Sequence, residues 1–265
     1  MNRAIRAVMR KELLEFRRDP NTFTPMLILP VMFSVLVPLG TLLLYRDGNM
    51  GPRINSFIGS VHYGPQPHFF DDATLNGLAI FFNMLFMPLF LFIPIIVVVS
   101  ISIVAFAGEK ENRTLEGLLF TPASNRDLIG GKLAASLCMS VAFGWASIIV
   151  FMIIVSAVGR AVCGVWFLDI PRWIMLGIFV LPLVSIGASL LCVWVSLKAK
   201  STRSANSMSI IVVAPVISMF VSQLTGGVNF GFVPMLIVAV VLAVLDAIGL
   251  MLLSRFNREK LLAWY

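Results

Sequence analysis

The chain has 265 residues, 59% of them hydrophobic and only 12% charged, with a net charge of +7. Soluble domains carry roughly 45–50% apolar and about 25% charged residues, so composition excludes an ordinary soluble domain. The basic excess fits Lys and Arg held in the cytoplasmic loops of a membrane protein better than it fits nucleic-acid binding.

Residues 3–18 come first. Ile5, Val8, Met9, Leu13 and Phe16 recur at the three- and four-residue steps of one helical face, while Arg3, Arg6, Arg10, Lys11, Arg17 and Arg18 supply positive charge. Such a helix lies flat in the headgroup layer, or else packs as a solvated helix on another part of the structure. Asp19-Pro20-Asn21 breaks it. Residues 1–22 therefore form a cytoplasmic amphipathic segment, and 23–265 a membrane domain. The charged leader is long, and the apolar run after it exceeds the ~7–15 residues of a signal-peptide core, so that run is expected to stay as an anchor.

Six apolar runs follow, at about 23–45, 78–107, 128–158, 173–197, 205–222 and 234–254. Each approaches or exceeds the ~18–20 residues that cross a hydrocarbon core. The expected class is an all-α polytopic membrane protein. The second run would be ~45 Å long as one helix, so it should tilt, kink at Pro88 or Pro94, or protrude. With the N-terminus inside, sixteen Lys and Arg fall on the inner side. Arg46, Arg53, Arg160 and Arg172 alone fall outside. That bias places both termini in the cytoplasm, and the plasma (inner) membrane is the expected location.

The first outer segment, 46–77, holds His62, His68, Asp71 and Asp72. Its Gly and Pro content reads as an irregular loop, and no metal-ligand spacing occurs. Cys138 and Cys192 sit inside apolar runs and Cys163 in a short loop, without a C-x-x-C pair; they read as small packing residues. No internal repeat is evident, so the inverted-repeat plan of many secondary transporters finds no support.

The largest internal concentration of charge is GEKENRTLEGLLFTPASNRDLIGGK, from Gly108 to Lys132. Asn112 suits a helix cap, and Leu115, Leu118 and Leu119 form an apolar stripe behind it. Thr121-Pro122 ends that helix, because the residue before proline disfavours the helical region. Ser124-Asn125-Arg126-Asp127 resembles a capping box and would start the third span. The alternative is an ordinary charged loop. Gly130-Gly131-Lys132 is not a nucleotide loop: Leu133 follows the lysine where Ser or Thr is needed, the upstream glycine is missing, and no strand precedes it. No catalytic constellation such as H-E-x-x-H or G-x-S-x-G occurs.

Asp246 lies within the sixth run, where a carboxylate costs roughly 2.5–3.5 kcal/mol and should face protein or water. It reads as a buried packing residue or as a cation or proton site. Ser136, Ser140 and Gly144 form a small-residue packing stripe on the third run. Ser207, Ala214, Ser218 and Ser222 form another on the fifth.

The order Glu109-Lys110-Glu111, Thr114-Leu115-Glu116, Leu118-Leu119, Thr121-Pro122 and Gly131-Lys132 resembles the pattern at the inner end of the second span in permeases of the type-2 ABC exporter (ABC-2) family. The tail Arg255-Phe256-Asn257-Arg258-Glu259-Lys260-Leu261-Leu262 is similar to endings of its drug-efflux and sodium-efflux branches. Arg113 departs from the Gly that many members carry there. The resemblance implies a type V exporter-like fold with a cytoplasmic coupling helix that docks in a cleft of a separate ATPase subunit. Glu109, Glu111, Arg113, Thr114, Leu115, Glu116, Leu118, Leu119 and Pro122 would form that docking segment. It further implies two ATPase copies that bind ATP and Mg, no cofactor in this chain, and a second permease copy as homodimer or heterodimer. The second and fifth spans would line the path, which makes Asn83, Ser100, Ser218 and Ser222 candidate cargo contacts, with Asp246 a further candidate on the sixth. The competing reading is an ATP-independent ion-coupled carrier or channel with Asp246 as its ion site.

Overall fold

The computed structural model describes residues 3–18, 20–48, 51–60, 68–108, 125–198, 201–225 and 231–254. Among the described residues there are helices and no strand. Helix α1 is Arg3–Arg18. Six helical segments are long and apolar enough to cross a membrane: Met26–Arg46, Ala73–Ile103, Gly130–Cys163, Ile170–Ser196, Thr202–Leu224 and Phe232–Leu252, spans 1 to 6 below.

The expected boundaries shift where local chemistry overrides hydropathy. Span 2 begins at Ala73, before the apolar run, because Asp72 caps it by accepting from the backbone N–H of Thr74 (2.7 Å) and Leu75 (3.1 Å). Span 3 continues to Cys163, with Arg160 in its last turn, where a cation suits the helix dipole. The first outer segment is partly regular, not wholly irregular as expected: Gly51–Ser60 is a helix.

Span 2 does break near its prolines. Phe86–Phe90 and Phe92–Ile103 meet at Leu91, whose N–H turns back to the Pro88 carbonyl at 3.1 Å. Pro94 lacks the N–H that would reach back one turn. Further local widening comes from π-turns at Met32–Leu36, Phe81–Leu85, Val104–Gly108 and Leu176–Val180. Trp145 donates its indole N–H to the Gly177 carbonyl at 2.8 Å, inside the last of these turns. Span 5 likewise consists of two helices, Thr202–Met208 and Ile210–Leu224, joined at Ser209.

Span 3 belongs to one unbroken helix, Asn125–Cys163, of 39 residues. At 1.5 Å per residue it is about 58 Å long and must project well beyond a ~30 Å hydrocarbon core. Span 2 is the centre of the bundle, with 78% of its apolar window buried, against 17% for spans 5 and 6.

The core joins spans 2, 3 and 4 through rings. Phe86 stacks on Phe151 at 5.5 Å, Phe90 meets Phe151 edge-on at 4.9 Å, and Trp173 lies 4.6 Å from Phe151. Aromatic pairs of this kind add about 0.5–1.5 kcal/mol beyond area burial. The small stripe on span 3 faces span 4: Ser136 Oγ is 3.4 Å from Ser189 Oγ, and a Cβ on Gly144 would meet Leu181 Cδ1 at 2.5 Å.

Candidate functional site

The chain gathers polar side chains at both ends of the bundle. One cluster flanks the charged stretch. Helix α1 lays its apolar stripe against the start of span 3, with Val8 and Ile5 over Gly131. A Cβ at Gly131 would come within 2.7 Å of Val8 Cβ and 3.1 Å of the Ile5 carbonyl. Glycine is what lets these two backbones approach. Arg6, Arg10 and Lys11 remain exposed on the opposite face. The amphipathic segment thus sets its apolar face on protein, with Arg6 and Arg10 outward and the Lys11 ammonium 3.5 Å from Glu12 Oε1.

Lys132 follows immediately and is buried (5% exposed). Its ammonium lies 3.6 Å from Glu12 Oε1 on α1 and donates to the carbonyl of Ala105, in the π-turn that continues span 2. Glu12 is itself 7% exposed. One cation therefore ties together α1, the π-turn that continues span 2 and the first turns of span 3. A buried charge pair of this kind is weak as a source of net stability, but losing one partner costs about 3–5 kcal/mol. Phe16, Met26, Val97 and Ile101 form an apolar patch beside it, closed by Phe23 and Phe143. Residues 109–124 connect the two spans that Lys132 bridges. The expected docking residues Glu109, Glu111, Arg113, Thr114, Leu115, Glu116, Leu118, Leu119 and Pro122 lie outside the described residues.

Of the candidate path residues, Asn83 is fully buried at the opposite end. Its amide donates to the carbonyls of Ala79 (2.9 Å) and Phe167. Its oxygen accepts from the Asp169 N–H (2.8 Å) and the Trp173 indole (3.3 Å). Two donors and two acceptor sites are thereby all used. Around this node Arg172 pairs with Asp169 at 2.8 Å and lies over the Phe69 ring. Asn76 accepts from the backbone N–H of Phe69 (2.7 Å). Gln223, at the end of span 5, donates to the Met84 carbonyl at 2.6 Å.

Ser218 is exposed on span 5 and its hydroxyl turns back to the Pro215 carbonyl at 2.7 Å. Ser222 and Ser100 are half-buried. Asp246 is 5% exposed and faces span 4, where a Cβ on Gly187 would lie 2.9 Å from Asp246 Oδ1. Its Oδ2 has no hydrogen-bond partner among the described residues. The five path candidates do not form one cluster: Asn83 belongs to a sealed node between spans 2, 3 and 4, Ser218 opens to the surface of span 5, and Asp246 lies between spans 4 and 6.

Sequence reasoning missed Glu12 as the partner of Lys132. The signal was present: Glu12 interrupts the apolar stripe between Val8 and Phe16, a position that faces the bundle. Among the described residues no group of three or more His, Cys, Asp or Glu lies close enough to hold a metal ion.

Residues 6–230 match the family model described as ABC-2 family transporter protein. No curated protein matches the chain.

Proposed function

The chain belongs to the ABC-2 family of transporter proteins, and from that membership we propose that it is the permease subunit of an ATP-driven exporter. A separate ATPase, present in two copies, binds ATP and Mg and supplies the energy; this chain carries no catalytic step. Two permease copies, identical or not, enclose the path. The cargo is a lipophilic small molecule, lipid, peptide or ion leaving the cytoplasm across the inner membrane, with both termini of this chain cytoplasmic.

The observation that carries the reading, beside the family match, is the junction of α1, span 2 and span 3 at Lys132. Residues 109–124 leave from one side of that junction and return to it. A force applied to this segment by a docked ATPase would reach both spans and α1 together. Glu109, Glu111, Arg113, Thr114 and Glu116 supply polar contacts in this proposal, with Leu115, Leu118 and Leu119 apolar ones and Pro122 the helix stop. ATP-driven closure of the ATPase pair would then shift the spans between two states, provided nucleotide or cargo binds those states unequally. Asn83, Ser100, Ser218, Ser222 and Asp246 remain the proposed residues along the route.

Co-expression with a candidate ABC ATPase from the same genome, followed by affinity purification, tests the reading. The ATPase should co-purify, and Glu116→Ala with Leu119→Ala should lose at least most of it while inserting normally. Full retention by that variant would remove the docking role.

The unpartnered Oδ2 of Asp246 favours one second reading, an ion-coupled carrier that works without ATP. Ion flux into vesicles holding the purified chain alone, abolished by Asp246→Asn, would establish it and sink the first.

A further inference from the structure

At the end of span 3 far from α1 lies an open groove of about 500 Å³, lined by Ile153, Ser156, Ala157, Arg160, Ala161 and Trp166. The Arg160 guanidinium lies over the Trp166 ring, 5.4 Å from its centroid. Both residues are exposed, and among the described residues no carboxylate lies within ion-pairing distance of Arg160; Asp169, on the same connection as Trp166, pairs with Arg172. Trp and Arg together at a span end mark the depth of lipid headgroups. Below Arg160 the same face of the helix is apolar and outward: Trp145, Ile149 and Ile153 are all exposed and follow one another at four-residue steps. From Trp145 to Arg160 this track is about 22 Å long, the scale of a glycerol backbone plus one acyl chain in a ~15 Å leaflet.

We propose that this groove is a binding site for an anionic phospholipid, with the headgroup phosphate on Arg160 and an acyl chain along Ile153, Ile149 and Trp145. Three features converge on that occupant. The guanidinium offers a planar fork for phosphate oxygens. Stacking on Trp166 holds the fork in place and leaves its edge free. The Ser156 hydroxyl, one turn below, reaches the ester region. The apolar track lies at the depth of the hydrocarbon core, where the neighbour of Arg160 that also reaches along it is an acyl chain and not a water-soluble peptide. On the topology proposed above, the site lies in the outer leaflet.

Native mass spectrometry of the full chain in detergent, titrated with phosphatidylglycerol or with phosphatidylcholine, tests this. Wild-type protein should retain phosphatidylglycerol in preference. Arg160→Gln should weaken that binding about fivefold, the factor for one cation near an anionic headgroup, and bring it to the phosphatidylcholine level. Arg160→Lys should keep most of the preference, and Arg53→Gln, which removes another exposed cation, should leave it unchanged. Equal retention of the two lipids by wild-type protein would overturn the proposal whether or not any variant folds. So would an unchanged Arg160→Gln, or an equal loss from Arg53→Gln, which would mean that diffuse charge and no built site attracts the lipid.

Discussion

Asn83 uses every hydrogen-bonding position of its amide inside the protein, with partners on its own span, on the connection after span 3 and on span 4. Replacing it with leucine leaves the Trp173 indole and the Asp169 N–H buried without acceptors, at about 1–3 kcal/mol for each group. Asn83→Leu should therefore lower the thermal midpoint of the detergent-purified protein, by more than Ser218→Ala, whose hydroxyl only returns to its own helix. Lys132 predicts a different pattern. Lys132→Ala leaves the buried Glu12 carboxylate to the more exposed Lys11 ammonium (3.5 Å) and should cost up to about 3–5 kcal/mol, while the double change Glu12→Leu with Lys132→Met should be milder than either charge deletion alone. A double change as damaging as the single ones would show that the pair itself carries the stability. Both residues were visible in the sequence as unusual, Asn83 as an amide in an apolar run and Lys132 as the end of a motif. Their partners were not, because Asn83 bonds to Phe167 and Trp173 across 84 and 90 residues and no local pattern reports such a contact.

Among the helices, two glycines look alike in the sequence but differ in what stands over them. A Cβ on Gly144 would meet only the flexible end of Leu181, whereas one on Gly131 would meet Val8 and the Ile5 backbone carbonyl. Gly144→Ala should therefore be tolerated by a rotamer change. Gly131→Ala must push α1 away, at about 1–3 kcal/mol, and should expose α1 to limited proteolysis. Equal protease sensitivity of the two variants would mean that α1 is not seated on Gly131. The number of spans was legible because six long apolar runs leave no other assignment. The break in span 2 was legible from Pro88 and Pro94. The π-turns were not, since one extra residue per turn leaves an apolar run apolar and shifts only its phase. The helix Gly51–Ser60 was hidden by its own glycine and proline, which also suit a loop.

For the molecule as a whole, the Lys and Arg distribution predicts sidedness. A cysteine at Arg53 should react with a membrane-impermeant maleimide from outside intact cells, and one at Arg6 only after the inner face is opened. Labelling of both from outside would reverse or break the six-span topology. The architecture is unevenly braced. At one end the node on Asn83, the Arg172–Asp169 ion pair and the Gln223–Met84 bond link spans 2, 4 and 5 and the connection after span 3. At the other end α1, span 2 and span 3 meet at the Lys132 ammonium, with Lys11 also on Glu12, and through the apolar contact of Val8 and Ile5 over Gly131. The saturated Asn83 amide has no alternative partner to exchange for, while the Glu12 carboxylate lies within reach of two cations, Lys11 and Lys132, between which it can shift. We therefore expect any tilt of the spans to pivot near Asn83 and to travel furthest near Lys132. A tilt of about 10° about that point, over a ~30 Å lever, would carry the Lys132 end roughly 5 Å, about the pitch of one helical turn.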